Sequence, residues 1–160
     1  MKIKKSILLI LFWVFISFLL FSQENFTFVV MGDNQPGKIT GGIKQDQAFI
    51  DFLRQISRLS PRPVFFVNTG DLVHGWPHDK YEEMYKDYVR CLKEYLDPRI
   101  KHVPVVGNHD WWEPQGPQMW RRYIFPTVID NASPRNSFYY SFDWGNSHFI
   151  ILNIIVTFAR

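Results

Sequence analysis

Val103-Pro104-Val105-Val106-Gly107-Asn108-His109-Asp110 joins a short apolar run to a turn carrying an amide, an imidazole and a carboxylate. Two earlier stretches are built the same way. Val64-Phe65-Phe66-Val67-Asn68 leads into Gly70-Asp71-Leu72-Val73-His74-Gly75, and Phe26-Thr27-Phe28-Val29-Val30-Met31 leads into Gly32-Asp33-Asn34-Gln35. Asp33 and Asp71 are 38 positions apart, and Asp71 and Asn108 are 37 apart. Short runs rich in β-branched and aromatic residues read as buried strands. Oxygen and nitrogen ligands are therefore offered repeatedly at the carboxyl ends of strands, the edge where open α/β sheets bind ligands.

The segments between the strands have helical periodicity. Ala48, Phe49, Phe52, Leu53, Ile56 and Leu59 lie on one face of a helix spanning 44–59. Tyr81, Met84, Tyr85, Tyr88, Val89, Leu92 and Leu96 do the same within 79–96, where Asp79 and Glu82 have the spacing of a capping box. Strand, helix, strand, helix, strand implies a parallel sheet covered by helices, with all three strand ends on one edge. Downstream, a short helix is expected over 118–124. A hairpin of 137–142 and 148–152 is expected around Trp144-Gly145-Asn146-Ser147.

Charge excludes some partners. Of 18 Lys and Arg, three (Lys2, Lys4 and Lys5) lie at the very start, leaving 15 against 15 Asp and Glu. The remainder is neutral and has no basic stripe with interleaved aromatics, so nucleic acid is not an expected partner. The three lysines precede an uncharged run, Ile7 to Phe21. That run is shorter than the roughly 20 residues a bilayer crossing needs, and it matches the n- and h-regions of a signal peptide. Residues 1–22 are read as a signal peptide or short anchor and 23–160 as the functional domain. Export to the periplasm or extracellular space follows, with membrane contact only through residues 6–21. The single Cys91 admits no internal disulfide.

Asp71 carries the central chemical inference. A carboxylate at the end of a buried strand is costly to desolvate alone, and a cation offsets that cost. Its two oxygens can bridge two ions, with Asp33 on one and Asn108 on the other. Two ions about 3.5–4 Å apart polarise a phosphoryl group and generate hydroxide near neutral pH. His109, beside Asn108, is placed to meet substrate, where it can stabilise developing charge or protonate a leaving alkoxide. Gly-Asp alone is a common turn, and the rarer Gly-Asn-His-Asp alone could be a capping loop; the three in this order point to a metal site.

These residues resemble a known family. From about Phe26 to Leu152 the chain is similar to the N-terminal part of a calcineurin-like metallophosphoesterase, whose motifs align here with Asp33, Asp71 and Asn108-His109-Asp110. The resemblance implies a four-layer α/β/β/α sandwich and a dinuclear centre of divalent ions (Mn, Fe or Zn). It implies Asp33 on the first metal, Asp71 bridging, Asn108 on the second and His109 as the catalytic imidazole. It implies hydrolysis of a small phosphomonoester or phosphodiester by in-line attack of hydroxide. Two departures stand out. The first motif usually has His where this chain has Gln35, whose amide oxygen is a weaker, neutral ligand that tilts preference toward oxygen-loving ions. The family's later His ligands, ending in a Gly-His-any-His motif, have no counterpart, so the C-terminal half of the sandwich is expected to be missing and the chain to be a low-activity fragment. An exposed sheet face, weak metal affinity and little turnover are the expected consequences.

Other readings stay open. His74 reads equally as a substrate contact or an ordinary loop histidine. Trp111 and Trp112 suit either a substrate wall or core packing. His102 and His148 read as structural, His78 as exposed, and Arg121 with Arg122 as a solvated helix face. A non-catalytic, membrane-tethered binding module on the same fold is the alternative function. A dinucleotide-binding fold lacks its Gly-any-Gly fingerprint.

Overall fold

The apolar runs ahead of the three motifs pair side by side as anticipated. The computed structural model describes residues 25–37 and 42–153. The signal-like segment 1–22 and the apolar stretch 154–159 lie outside these described residues. Strands β1 (Phe28–Met31), β2 (Phe65–Asn68) and β3 (Lys101–Pro104) form a parallel sheet in the order β1-β2-β3. The register aligns Met31, Asn68 and Pro104, so the loops that follow leave the sheet together. β3 begins two residues earlier than the apolar pattern suggests, because Lys101 and His102 pair with Phe65 and Phe66. Val105 still donates its N–H to the Asn68 carbonyl at 2.7 Å, but the chain then turns into the third motif.

Helices cover one face. α1 (Gln47–Ile56) buries Phe49, Leu53 and Ile56, and α2 (Tyr81–Tyr95) buries Tyr81, Met84, Tyr85, Tyr88, Cys91 and Leu92. The i, i+3, i+4, i+7 spacing that predicts these helices is the spacing that fills the core. The capping box does not form. A 3₁₀ turn at His78–Lys80 precedes α2, moving its start past Asp79 and freeing Glu82 to accept from the Tyr123 hydroxyl at 2.6 Å. α3 (Gln115–Tyr123) starts three residues before its apolar pattern and buries Gly116, Pro117 and Trp120 against this layer.

The opposite sheet face is not left open. β4 (Tyr140–Trp144) and β5 (Ser147–Ile151) form an antiparallel hairpin over it, closed by Gly145 and Asn146. Alternation along the hairpin places Tyr140, Phe142 and Ile151 in a second core with Phe65, Val103 and Ile129. Phe65 is fully buried, its ring 5.1–5.8 Å from those of Phe28, Phe142, Trp144 and Phe149. The expected exposed face is thus reduced to its margin, where Phe28, Val30, Ile150 and Leu152 remain open to solvent. No helix among the described residues is long and apolar enough to cross a membrane.

Candidate functional site

Backbone contacts draw the three motifs into one seam. The Asp33 N–H donates to the Gly70 carbonyl at 3.0 Å. Gly70 (φ +114°) lies so close to Gly107 that a Cβ on it would sit 2.8 Å from the Gly107 Cα. Gly107 in turn packs on the Asp71 backbone and carboxylate, leaving no room for a side chain. The His109 N–H donates to Asp71 Oδ1 at 2.9 Å. Asp33 and Asp71 both occupy the left-handed region, at φ +57° and +54°. That region costs an L-residue roughly 1–2 kcal/mol and is tolerated best by Asp and Asn outside glycine. The two aspartates singled out from sequence are therefore the two whose backbones are strained.

The donor chemistry at the first motif fits a hard divalent cation. Gln35 Nε2 donates to Asp33 Oδ1 at 3.1 Å, while Gln35 Oε1 is buried and has no hydrogen-bond partner among the described residues. An orphaned buried acceptor is costly unless something electropositive meets it. Neither Asp33 nor Asp71 has an ion-pair partner among the described residues. Asn108 is exposed at the head of a 3₁₀ turn, His109–Trp111, on the same edge. Among the described residues no three His, Cys, Asp or Glu side chains gather as a metal group. The edge presents two carboxylates and two amides instead.

His109 is fixed by backbone. Its Nδ1 lies 2.6 Å from the His74 carbonyl, which can only accept, so Nδ1 carries the proton and Nε2 is the ring nitrogen left for chemistry. The Tyr81 hydroxyl donates to the His109 carbonyl at 2.5 Å. The His74 ring sits 5.9 Å from that of His109, with its own Nδ1 3.1 Å from the Trp76 carbonyl. His74 thus reaches the site, and its carbonyl does the orienting that a carboxylate could have done.

Asp110 closes the third motif in the sequence, but its part in holding the loops together is visible only in the structure. It is fully buried, and its carboxylate accepts from the N–H groups of Gly107 (2.8 Å), Leu72 (3.0 Å) and Val73 (3.3 Å). It ties the second motif to the third. Burial, helped by the nearby Asp71 charge, pushes its carboxyl up to about 8 against the pull of those donors. A carboxylate two residues after Asn108, followed by two tryptophans, was the available signal for a buried clamp. A second polar chain lies under the same loops. Asn34 accepts from Asn68 at 2.6 Å and donates to Gln45 at 3.1 Å, and Gln45 donates to the Leu72 carbonyl at 2.9 Å.

Residues 26–157 match the calcineurin-like phosphoesterase family. The chain belongs to that family. It is 35% identical over 99 residues to the serine/threonine-protein phosphatase CPPED1 of Rattus norvegicus, covering 61% of this chain and 29% of that protein. The protein of the same name in Homo sapiens is 32% identical over 102 residues (63% and 30%), and that of Danio rerio 41% over 61 residues (36% and 19%). The chain therefore spans less than a third of the length of these curated relatives. No solved structure matches.

The remaining residues of this chain divide clearly. Trp111 packs edge-on against Phe138 in the core, whereas Trp112 is half exposed beside His109. His78 is partly covered, between Trp76 and Trp112, rather than exposed. His102 lies within β3, buried, with Nδ1 2.8 Å from Thr127 Oγ1 and Nε2 3.0 Å from the Tyr88 hydroxyl. His148 pairs with Asp143 on the hairpin surface. Arg121 lies over the Phe138 ring, and Arg122 lies 3.4 Å from Glu82. Cys91 is fully buried, and burial lifts its thiol to about 11.

Proposed function

We propose that this chain supplies the first ligands and the general acid of a metal-dependent phosphoester hydrolase. The observation that carries the reading is the double tether of His109. Its N–H rests on Asp71 Oδ1, and its ring proton rests on the His74 carbonyl. That leaves Nε2 as the ring nitrogen open to substrate, on a residue whose backbone rests on the carboxylate proposed to bridge two ions. Asp33 and Gln35 would hold one divalent ion, Asn108 the other, and Asp71 both, with Mn, Fe and Zn as candidates. When bound, such a pair neutralises phosphoryl charge and lowers the pKa of water.

The chain's own residues then have distinct parts. Asp110 clamps the Asp71 loop to the Asn108 loop, so both ligand positions move as one body. The substrate is a small phosphomonoester or phosphodiester. As water's oxygen bonds to phosphorus, the phosphorus–oxygen bond to the leaving group breaks, and protonated His109 delivers its Nε2 proton to the departing oxygen. The relatives' printed name, serine/threonine-protein phosphatase, supports the ester class. Their length supports the reading that further ligands and a four-layer sandwich belong to a longer domain of which this is one part. The basic start and apolar run at residues 1–22 support export of that domain.

The test is hydrolysis of a simple aryl monoester and a bis-aryl diester by the full chain with Mn²⁺, Fe²⁺ or Zn²⁺ supplied, against Asp71→Asn. Asn shares Asp's tolerance of the left-handed backbone and keeps an acceptor for the His109 N–H, so the change isolates charge. Activity should fall more than about 100-fold with the fold intact. Unchanged turnover rejects the bridging role.

A further inference from the structure

The loop between β2 and α2 meets the third motif in an aromatic cup, and of its walls the chemistry above uses only His109 and the His74 backbone. His74, Trp76, His78, His109 and Trp112 line an open recess of about 260 Å³ whose surface is almost wholly apolar. His78 stands between the two indoles, its ring 4.8 Å from that of Trp76 at 81° and 5.2 Å from that of Trp112 at 35°. Trp76 and Trp112 are nonetheless 61% and 50% exposed, and neither belongs to a core cluster. Large apolar faces left open next to a candidate active site mark a ligand surface more often than a packing accident.

The walls are held in place. Gly75 (φ +74°) leaves no room for a side chain, since a Cβ there would sit 2.9 Å from Trp112 Cδ1 and closer still to the His109 carbonyl. The Tyr81 hydroxyl donates to the His109 carbonyl and accepts the Trp112 N–H at 3.3 Å. The recess is smaller than the roughly 300–1,000 Å³ of pockets for drug-sized ligands, so it suits one planar group. His109 belongs to both places, with its backbone on Asp71 and its ring in the cup. A group departing from phosphorus toward His109 therefore leaves beside the cup.

We propose that the cup receives the substrate's leaving group and selects a planar aromatic one, making aryl phosphoesters the preferred class over esters of simple alkanols. The inference rests on the hydrolase reading and deepens it. Ring faces at offset or edge geometry recognise an aromatic guest beyond what burial alone gives.

The experiment titrates the full chain, with Mn²⁺ present, with phenylphosphonate and methylphosphonate, reading tryptophan fluorescence and calorimetry. In parallel it follows hydrolysis of phenyl phosphate and ethyl phosphate. Phenylphosphonate should bind about tenfold tighter, and Trp76→Ala and Trp112→Ala should each reduce that preference to under about threefold. Trp112→Phe, which keeps a ring, should retain it. Equal affinities in the unaltered chain, or a preference that survives both alanine changes, overturns the proposal. Selective phenylphosphonate binding with no hydrolysis of either ester would sustain the cup and sink the hydrolase reading. Hydrolysis of both esters without selective binding would do the reverse.

Discussion

At His109 one hydrogen bond settles which proton can move. Because Nδ1–H is committed to the His74 carbonyl, only Nε2 can serve a leaving oxygen. If that service is protonation, its value depends on the leaving group. A phenol-type leaving group, with a pKa near that of Tyr at about 10, departs with little help; an alkoxide, whose conjugate acid is closer to water at about 15.7, needs the proton. His109→Gln should therefore cost ethyl phosphate hydrolysis about 10²–10⁴-fold and phenyl phosphate hydrolysis far less. Equal losses for both esters in a side-by-side kcat/KM measurement would reduce His109 to an electrostatic role. Asp33 and Asp71 show a second property confined to single residues. Their left-handed backbones aim the carboxylates, and the spacing of Asp and Gly in sequence does not reveal that strain.

The elements explain why three weak turns make one site. Parallel pairing aligns Met31, Asn68 and Pro104, and the loops beyond them meet through two glycines and one buried carboxylate. Gly107→Ala should push the third motif off the Asp71 backbone. A loss of about 2 kcal/mol or more in urea unfolding is expected, alongside lost activity. Above about pH 8, where Asp110 is ionised, Asp110→Asn should cost about 1–3 kcal/mol, since an amide donor must then face an N–H donor on one side. Near-neutral stability in both variants would show the seam to be slack. The strands, both long helices and the hairpin were legible because burial imposes their periods of 2 and 3.6. The two-residue shift of β3 was not, because register depends on the partner strand. The capping box at Asp79 failed because a 3₁₀ turn, which periodicity does not report, took its place. That Asp33, Gln35, Asp71, Asn108 and His109 would share one edge was legible from their places after parallel strands. The roles of Asp110 and the His74 carbonyl were not, since one acts through burial and the other through backbone.

Across the whole molecule two cores share one sheet, and Phe65 and His102 show what each side demands. Phe65→Ala should open a cavity between sheet and hairpin and cost about 3–5 kcal/mol. His102 faces the helical side, where burial holds its imidazole down at about 3. Thr127 gives its hydroxyl proton to the Ile124 carbonyl, so it accepts from His102 Nδ1–H, and Nε2 accepts from the Tyr88 hydroxyl. Neutral imidazole satisfies every partner; a proton on Nε2 would face a donor. The unfolded chain takes up that proton near pH 6.5, and the folded one resists until about pH 3. Stability from this residue is therefore complete above about pH 6.5 and declines on acidification through that window, by up to about 1.4 kcal/mol per pH unit. His102→Gln can donate to Thr127 and accept from Tyr88 without titrating. Between pH 7 and 5 the natural chain should lose about 2 kcal/mol more than this variant in urea unfolding. Parallel pH profiles would mean that the imidazole accepts its proton in the folded state, and that the chain from Thr127 to Tyr88 is not the closed network its distances describe.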